Sequence, residues 1–130
     1  MPTGFVATEF SVTEEHGVLV TALGAASTEE DDFYLMLQHS DHHTEQDARF
    51  GMNLPYIEYC GQGWSWYGHI EQFELQRDRV KVQMNSAAAS HMGNDGLIEV
   101  EFALGESEFS RLRAALERTF RDQAYFVEQV

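Results

Sequence analysis

The alternation of apolar and polar residues in the first part of the chain predicts β-strands joined by short turns. Residues 5–12 and 18–23 alternate in this way and are rich in β-branched and aromatic side chains. Residues 14–17, Glu-Glu-His-Gly, supply turn chemistry between them, so the two strands are expected to pair as a hairpin. Residues 33–39 are apolar on both faces, which is typical of a strand near the middle of a sheet. Polar loops are predicted on either side of that strand.

A long strand and a tight hairpin are predicted next. Residues 56–60 read as a short strand, and residues 64–75 as a long one in which the apolar positions change parity. A bulge near Glu71 is therefore expected, because it keeps both apolar sets on the buried side. Positions 77–78 form a two-residue connection to a strand over 79–84. This register sets Leu75 opposite Val80, Phe73 opposite Val82 and Glu74 opposite Lys81.

The last third of the chain predicts a half-buried strand followed by an amphipathic helix. A helical turn is expected over residues 85–91, and residues 97–104 alternate as a strand does. Ser107 is the predicted N-cap of a helix. Its apolar positions are Phe109, Leu112, Leu116 and Phe120. The fold class is therefore α+β: one domain over residues 1–130, with a mostly antiparallel sheet of about six to seven strands and a C-terminal amphipathic helix packed on one face.

Charge narrows the classes of partner. The chain has 8 Lys and Arg residues against 22 Asp and Glu, for a net charge of −14 at pH 7. Residues 1–76 hold 13 of the acids and a single basic residue, Arg49. Such a field repels phosphate backbones and anionic lipid, which excludes nucleic acid and membrane surfaces as direct partners and favours a cationic one. The alternative is that net acidity only keeps the protein soluble.

The sequence predicts a reduced, cytoplasmic protein. Cys60 is the sole cysteine and has no partner for an internal disulfide. The N-terminal residues lack a basic start followed by an apolar run, and no stretch approaches the roughly 18 apolar residues of a membrane span.

Two groups of residues have side chains that could support catalysis: a candidate metal site and a candidate nucleophile. Imidazole and carboxylate groups that suit a divalent metal lie close together at His39, Asp41, His42, His43 and Asp47. No HExxH or CxxC spacing accompanies them, and a solvated loop is the structural alternative. Cys60 could act as a nucleophile if His69 or His91 lay beside it, whereas a buried small apolar residue is the alternative. We expect no metal, no cofactor and no catalytic residue.

The order and spacing of several short motifs resemble the immunity protein 10 family of bacterial polymorphic toxin systems. The motifs are Tyr34-Leu35-Met36-Leu37-Gln38, Gln46-Asp47, Gly51-Met52, Tyr56-Ile57-Glu58, Gln62, Tyr67-Gly68-His69-Ile70 and Phe73-Glu74-Leu75, together with Arg79 and the helix of the C-terminal part. In the family pattern another glycine usually follows the tyrosine-glycine pair, where this chain has His69, and an acid usually stands where this chain has Asn53.

The resemblance implies a small cytoplasmic protein that binds and blocks a cognate toxin. A basic, nuclease-type toxin would complement the negative charge. The expected partner-binding acids are Glu29, Glu30, Asp31, Asp32, Asp41, Glu45 and Asp47, with exposed aromatic residues of the stretch 46–75 as the anchor. The competing hypotheses are a small-molecule-binding or metal-dependent enzyme that uses His39, His42, His43 and Asp47, and a subunit that binds some other basic protein.

Overall fold

The computed structural model describes residues 3–25, 33–40, 54–60, 64–93, 95–121 and 123–130. Ten strands and two helices lie within these residues. In chain order they are β1 (Thr3–Val6), β2 (Glu9–Glu15), β3 (Val18–Ala25), β4 (Phe33–Ser40), β5 (Tyr56–Tyr59), β6 (Trp64–Tyr67), β7 (Ile70–Gln76), β8 (Arg79–Met84), α1 (Ser86–Met92), β9 (Leu97–Glu101), α2 (Glu106–Thr119) and β10 (Phe126–Gln129).

The strands form two five-stranded sheets. Sheet A has the order β1-β9-β8-β7-β10, and sheet B has the order β2-β3-β4-β5-β6. All pairs are antiparallel except β1 with β9 and β7 with β10, which are parallel. The class α+β is confirmed. The expectation of about six to seven strands is wrong, because two long predicted strands are each divided between the sheets and β10 was not predicted.

The segment predicted as one strand over residues 5–12 divides at Ala7 and Thr8. The Ala7 amide donates to the Glu101 carbonyl at 2.7 Å in sheet A, and the Thr8 amide donates to the Gly24 carbonyl at 2.8 Å in sheet B. Each side of this two-residue crossing is thus bonded to a different sheet. The predicted hairpin that follows is confirmed, since β2 pairs with β3 and residues His16 and Gly17 turn with φ of 54° and 81°.

The long strand predicted over residues 64–75 also divides, at Gly68 and His69. Both residues have positive φ, 79° and 66°, and the chain passes there from β6 in sheet B to β7 in sheet A. The positive φ of Gly68 favours glycine, whereas a Cβ there would meet only Leu54 Cδ1, at 2.9 Å, the end of an exposed side chain that can move aside. The bulge expected near Glu71 is confirmed by a register shift between Ile70 and Gln72.

The hairpin of β7 and β8 has the predicted register, with Leu75 opposite Val80 and Phe73 opposite Val82. These four side chains are fully buried. The strand β4 is central in sheet B, as its apolar faces predicted.

The N-cap of the C-terminal helix lies two residues before the predicted one. Gly105 is the N-cap of α2, and Ser107 lies exposed inside the helix. The side chains of Phe109, Leu112 and Leu116 are buried as their spacing predicted. The predicted short helix is confirmed as α1, where the Asn85 side chain accepts from the Ala88 amide at 3.0 Å.

One core joins both sheets and α2. Helix α2 packs against β2, β3 and β4 of sheet B, and Phe120 at its end contacts Phe73 of sheet A with 4.6 Å between ring centroids. Phe126 of β10 stacks on Phe120 at 5.4 Å, so the last strand closes the same core. In the described part of the chain, no helix is both long and apolar enough to cross a membrane.

Candidate functional site

The acids predicted to bind a partner lie outside the described residues. These are Glu29, Glu30, Asp31, Asp32, Asp41, Glu45 and Asp47, and the motif residues Gly51 and Gln62 also lie outside. Their role stays a prediction. The described motif residues are Tyr56, Glu58, Tyr67, Gly68 and Ile70, and the structure brings the first three of them together on sheet B.

Glu58 is a buried carboxylate held by two tyrosine hydroxyls. It lies on β5, between β4 and the edge strand β6, opposite Met36 on one side and Ser65 on the other. The residue is 5% exposed. Tyr56 donates from its hydroxyl to Oε1 at 2.6 Å, and Tyr34 donates to Oε2. Both carboxylate oxygens therefore have a donor, as burial of a charged group requires.

These residues define a tyrosine face of sheet B, carrying Tyr34, Tyr56, Glu58 and Tyr67. They share one face because the alternation of β5 sends Ile57 and Tyr59 into the core on the other. The Tyr67 ring lies 5.0 Å from the Tyr56 ring, and Tyr67 is 40% exposed. Burial, followed by the hydrogen bond to Glu58, raises the pKa of Tyr56. The hydroxyl thus stays a donor at neutral pH.

The role of Tyr34 was not predicted from the sequence, although the residue belongs to a quoted motif. Tyr34 and Glu58 are 24 positions apart, and only the pairing of β4 with β5 brings their side chains together. The sequence does predict that Tyr56 and Glu58 share one face, because they are two positions apart in a predicted strand.

An aromatic row joins one residue of sheet A, Phe5, to three residues of sheet B. We define it as Phe33, Phe5, Tyr59 and Trp64, whose successive ring centroids are 6.0, 6.1 and 5.7 Å apart. Tyr59 is buried, Trp64 is half-buried, and Phe33 is 45% exposed. Phe33 directly follows the predicted acidic run that ends at Asp32. The row therefore offers an accessible aromatic end next in sequence to four acids.

The two histidines considered as bases for Cys60 lie around Trp66. The ring of His69 is 6.3 Å and that of His91 is 5.9 Å from the Trp66 ring. His69 also approaches Asn85 through Nδ1, which is 3.4 Å from Oδ1. Cys60 is half-buried and its amide donates to the Tyr34 carbonyl at 2.9 Å. Both imidazole rings thus contact the Trp66 ring, and Cys60 directly follows the last residue of β5.

Of the residues proposed for a metal site, the structure describes only His39. It lies half-buried at the end of β4, while Asp41, His42, His43 and Asp47 fall outside the described residues. Within the described ranges, no group of three or more His, Cys, Asp or Glu side chains could hold a metal ion. A site formed with those four residues stays a prediction.

Comparison with known sequences gives one family. The family model described as immunity protein 10 matches residues 6–110 of the chain. This range includes the quoted motifs from Tyr34 to Arg79 and the strands of both sheets apart from the start of β1 and all of β10, and it ends within α2. No curated protein and no solved structure matches the chain significantly.

Proposed function

Because the chain belongs to the immunity protein 10 family, we propose that it binds a cognate bacterial toxin and blocks its activity, and that it catalyses no reaction itself. The match over residues 6–110 carries this proposal, since it spans four fifths of the sequence. The toxin is encoded beside this chain in a polymorphic toxin system, and the two proteins meet in the cytoplasm.

The proposed toxin has a basic surface, as the active site of a nuclease does. Support comes from the net charge of −14 and from the concentration of acids before residue 77. Opposite fields accelerate the encounter of two proteins and favour one orientation. The acids Glu29, Glu30, Asp31 and Asp32, with Asp41, Glu45 and Asp47, supply the field in this proposal.

Aromatic contacts supply the anchor. Tyr and Trp are enriched at the few interface positions that carry most of the binding energy. The accessible end of the aromatic row, Phe33, is adjacent in sequence to Asp32, so steering charge and apolar area belong to one stretch. The bonds to Glu58 hold Tyr34 and Tyr56 in fixed rotamers, which lowers the entropy cost of using the tyrosine face.

A rescue experiment tests the proposed function. The toxic domain encoded by the adjacent gene is expressed in a susceptible bacterium with and without this chain, and growth is followed. We expect growth to be restored and the two proteins to purify as a complex. An unrelated acidic protein of similar size is the control for non-specific charge effects. Growth arrest that persists while both proteins are soluble contradicts the proposal.

A charge-neutralisation experiment tests the steering acids. Glu29, Glu30, Asp31 and Asp32 are changed to their amides, and the association rate is measured by stopped flow at several salt concentrations. We expect slower association and a shallower dependence on salt. The control changes the same number of exposed acids elsewhere, Glu15, Glu71, Glu106 and Glu117, to glutamine. Equal effects of the two sets would assign steering to net charge and not to this loop.

A further inference from the structure

A groove lies where the chain crosses from β1 to β2, and all the residues that line it are described. Its volume is about 610 Å³, within the range of about 300 to 1,000 Å³ typical of ligand sites. Apolar side chains form its floor and mouth: Val6, Ala7, Phe10, Phe102 and Leu104. Acids form most of its rim: Glu9, Asp78, Glu101 and Glu108. We name it the acidic-rim groove.

The backbone around the groove is fixed. The crossing residues Ala7 and Thr8 each donate an amide hydrogen bond to a different sheet, at 2.7 and 2.8 Å. On the opposite wall, Arg77 donates from Nη2 to the Leu104 carbonyl at 2.9 Å, and its guanidinium carbon lies 4.4 Å from the Phe109 ring centroid. The groove is therefore preformed, which lowers the cost of binding.

Val6 is the accessible apolar residue of the groove. It is 60% exposed, although β1 is paired with β9 on one side and Phe102 beneath is 5% exposed. Val6 thus adds an accessible apolar side chain to the lining of the groove, next to the buried Phe102.

The lining of the groove carries four acids and one basic residue, and the guanidinium groups of Arg77 and Arg111 lie nearby, over the rings of Phe109 and Phe10. Arg79 is the basic residue of the lining, and it is already engaged by Asp78 at 3.3 Å, Glu99 at 2.5 Å and Glu101 at 3.3 Å. The hydrogen bonds that Arg79 donates to Asp78 and Glu99 raise its pKa, so it stays charged and bound to these acids. No basic side chain of the described residues pairs with Glu9 or Glu108, and both are exposed.

We propose that the acidic-rim groove receives a lysine- or arginine-bearing segment of the toxin. The aliphatic stem of such a side chain covers Val6 and the apolar floor, and its cationic head reaches the carboxylates of Glu9 and Glu108. Acidic or neutral peptides lack a cationic group that could contact Glu9 and Glu108, and the rim carboxylates repel anions. The proposal rests on the proposed function, since it assigns a surface to the same toxin.

Binding of the toxic domain identified by the rescue experiment tests the surface. Val6→Lys adds one positive charge at the mouth, and Thr13→Lys adds the same charge at an exposed position of β2 outside the groove. We expect Val6→Lys to raise the Kd at least about tenfold and Thr13→Lys to raise it less than about threefold. Equal Kd values for the two variants would overturn the proposal and leave the rescue result untouched.

A second pair of variants keeps the test independent of how well Val6→Lys folds. The double variant Glu9→Gln and Glu108→Gln removes two rim charges, and Glu15→Gln with Glu117→Gln removes two exposed charges elsewhere. Melting temperatures confirm that each variant is folded. We expect the rim pair to weaken binding about tenfold and to lose more salt dependence than the control pair. A rim pair that binds like the control pair would refute the groove.

A titration without the toxin tests whether the groove binds a basic side chain, independently of toxin neutralisation. N-acetyl-arginine methylamide is added to the ¹⁵N-labelled protein, with N-acetyl-norleucine methylamide as the uncharged control, and amide shifts are recorded. Shifts at Ala7, Thr8 and Ala103 with the arginine probe, absent in Val6→Lys, support a basic ligand even where no toxin is neutralised. No shift at these amides at tens of millimolar probe counts against the groove even where rescue succeeds.

Discussion

Removal of the Glu58 carboxylate tests whether the tyrosine face is held by hydrogen bonds. Each hydroxyl-to-carboxylate bond to a charged acceptor contributes on the order of 1.5–3 kcal/mol. Tyr34 and Tyr56 are half-buried, so water replaces part of what a lost carboxylate provides. We therefore expect Glu58→Ala to lower the free energy of unfolding by about 3 kcal/mol, a large share of the roughly 5–15 kcal/mol of an ordinary domain. Glu58→Gln, which keeps one acceptor oxygen, should cost about 1–2 kcal/mol.

A double-mutant cycle isolates the two bonds. Tyr34→Phe and Tyr56→Phe are each combined with Glu58→Gln, and unfolding in urea is followed by tryptophan fluorescence. We expect a coupling energy of about 1 kcal/mol or more for each pair. Tyr67→Phe is the matched control, because its exposed hydroxyl makes no bond to Glu58, and its cost should stay below about 0.5 kcal/mol. Coupling energies near zero would refute the idea that Glu58 positions these rings.

Three further substitutions test local features, each by urea unfolding. Burial raises the pKa of Tyr125 to about 12, and in the described part of the chain its buried hydroxyl has no hydrogen-bond partner. Because the unfolded chain loses this proton near pH 10 and the folded chain only near pH 12, the fold loses stability as pH rises from about 10 to about 12. Tyr125→Phe should add about 1 kcal/mol at pH 7, because it removes a buried hydroxyl that lacks a partner, and should flatten the alkaline loss; a destabilised variant would contradict it. His69→Val should cost about 1–2 kcal/mol more than His69→Gly because a β-branched residue disfavours positive φ; equal stabilities would count against strain at His69. Ser107→Ala should change stability by less than about 0.5 kcal/mol, whereas an N-cap role would cost about 1.

The features predicted correctly from the sequence are those fixed by neighbours along the chain. The two-residue connection after β7 and the alternation on both sides of it determine the pairing of Leu75 with Val80. The 3.6-residue spacing of Phe109, Leu112 and Leu116 likewise determines the buried side of α2. These patterns need no knowledge of the rest of the fold.

The division into two sheets could not be predicted in the same way. Residues 5–12 alternate continuously, and only the bonds of Ala7 to Glu101 and Thr8 to Gly24 show that the chain changes sheet. The parallel pairing of β1 with β9 joins residues more than 90 positions apart, so no local pattern encodes it. Gly68 was a visible signal, but a glycine within a strand pattern indicates a bulge as readily as a crossing. The tyrosine face was missed for the same reason, since Tyr34 and Glu58 meet only through strand pairing.

The proposed binding surfaces differ in what they should control. Acids that lie away from the final contact act at long range, so they change mainly the association rate and its salt dependence. Groove contacts such as Val6 form only in the bound complex, so they change mainly the dissociation rate. Neutralising Glu29 to Asp32 and changing Val6 to lysine should therefore leave separate kinetic signatures in one binding experiment. Loss of both signatures in a single variant would mean that residues 29–32 and the acidic-rim groove form one contact surface.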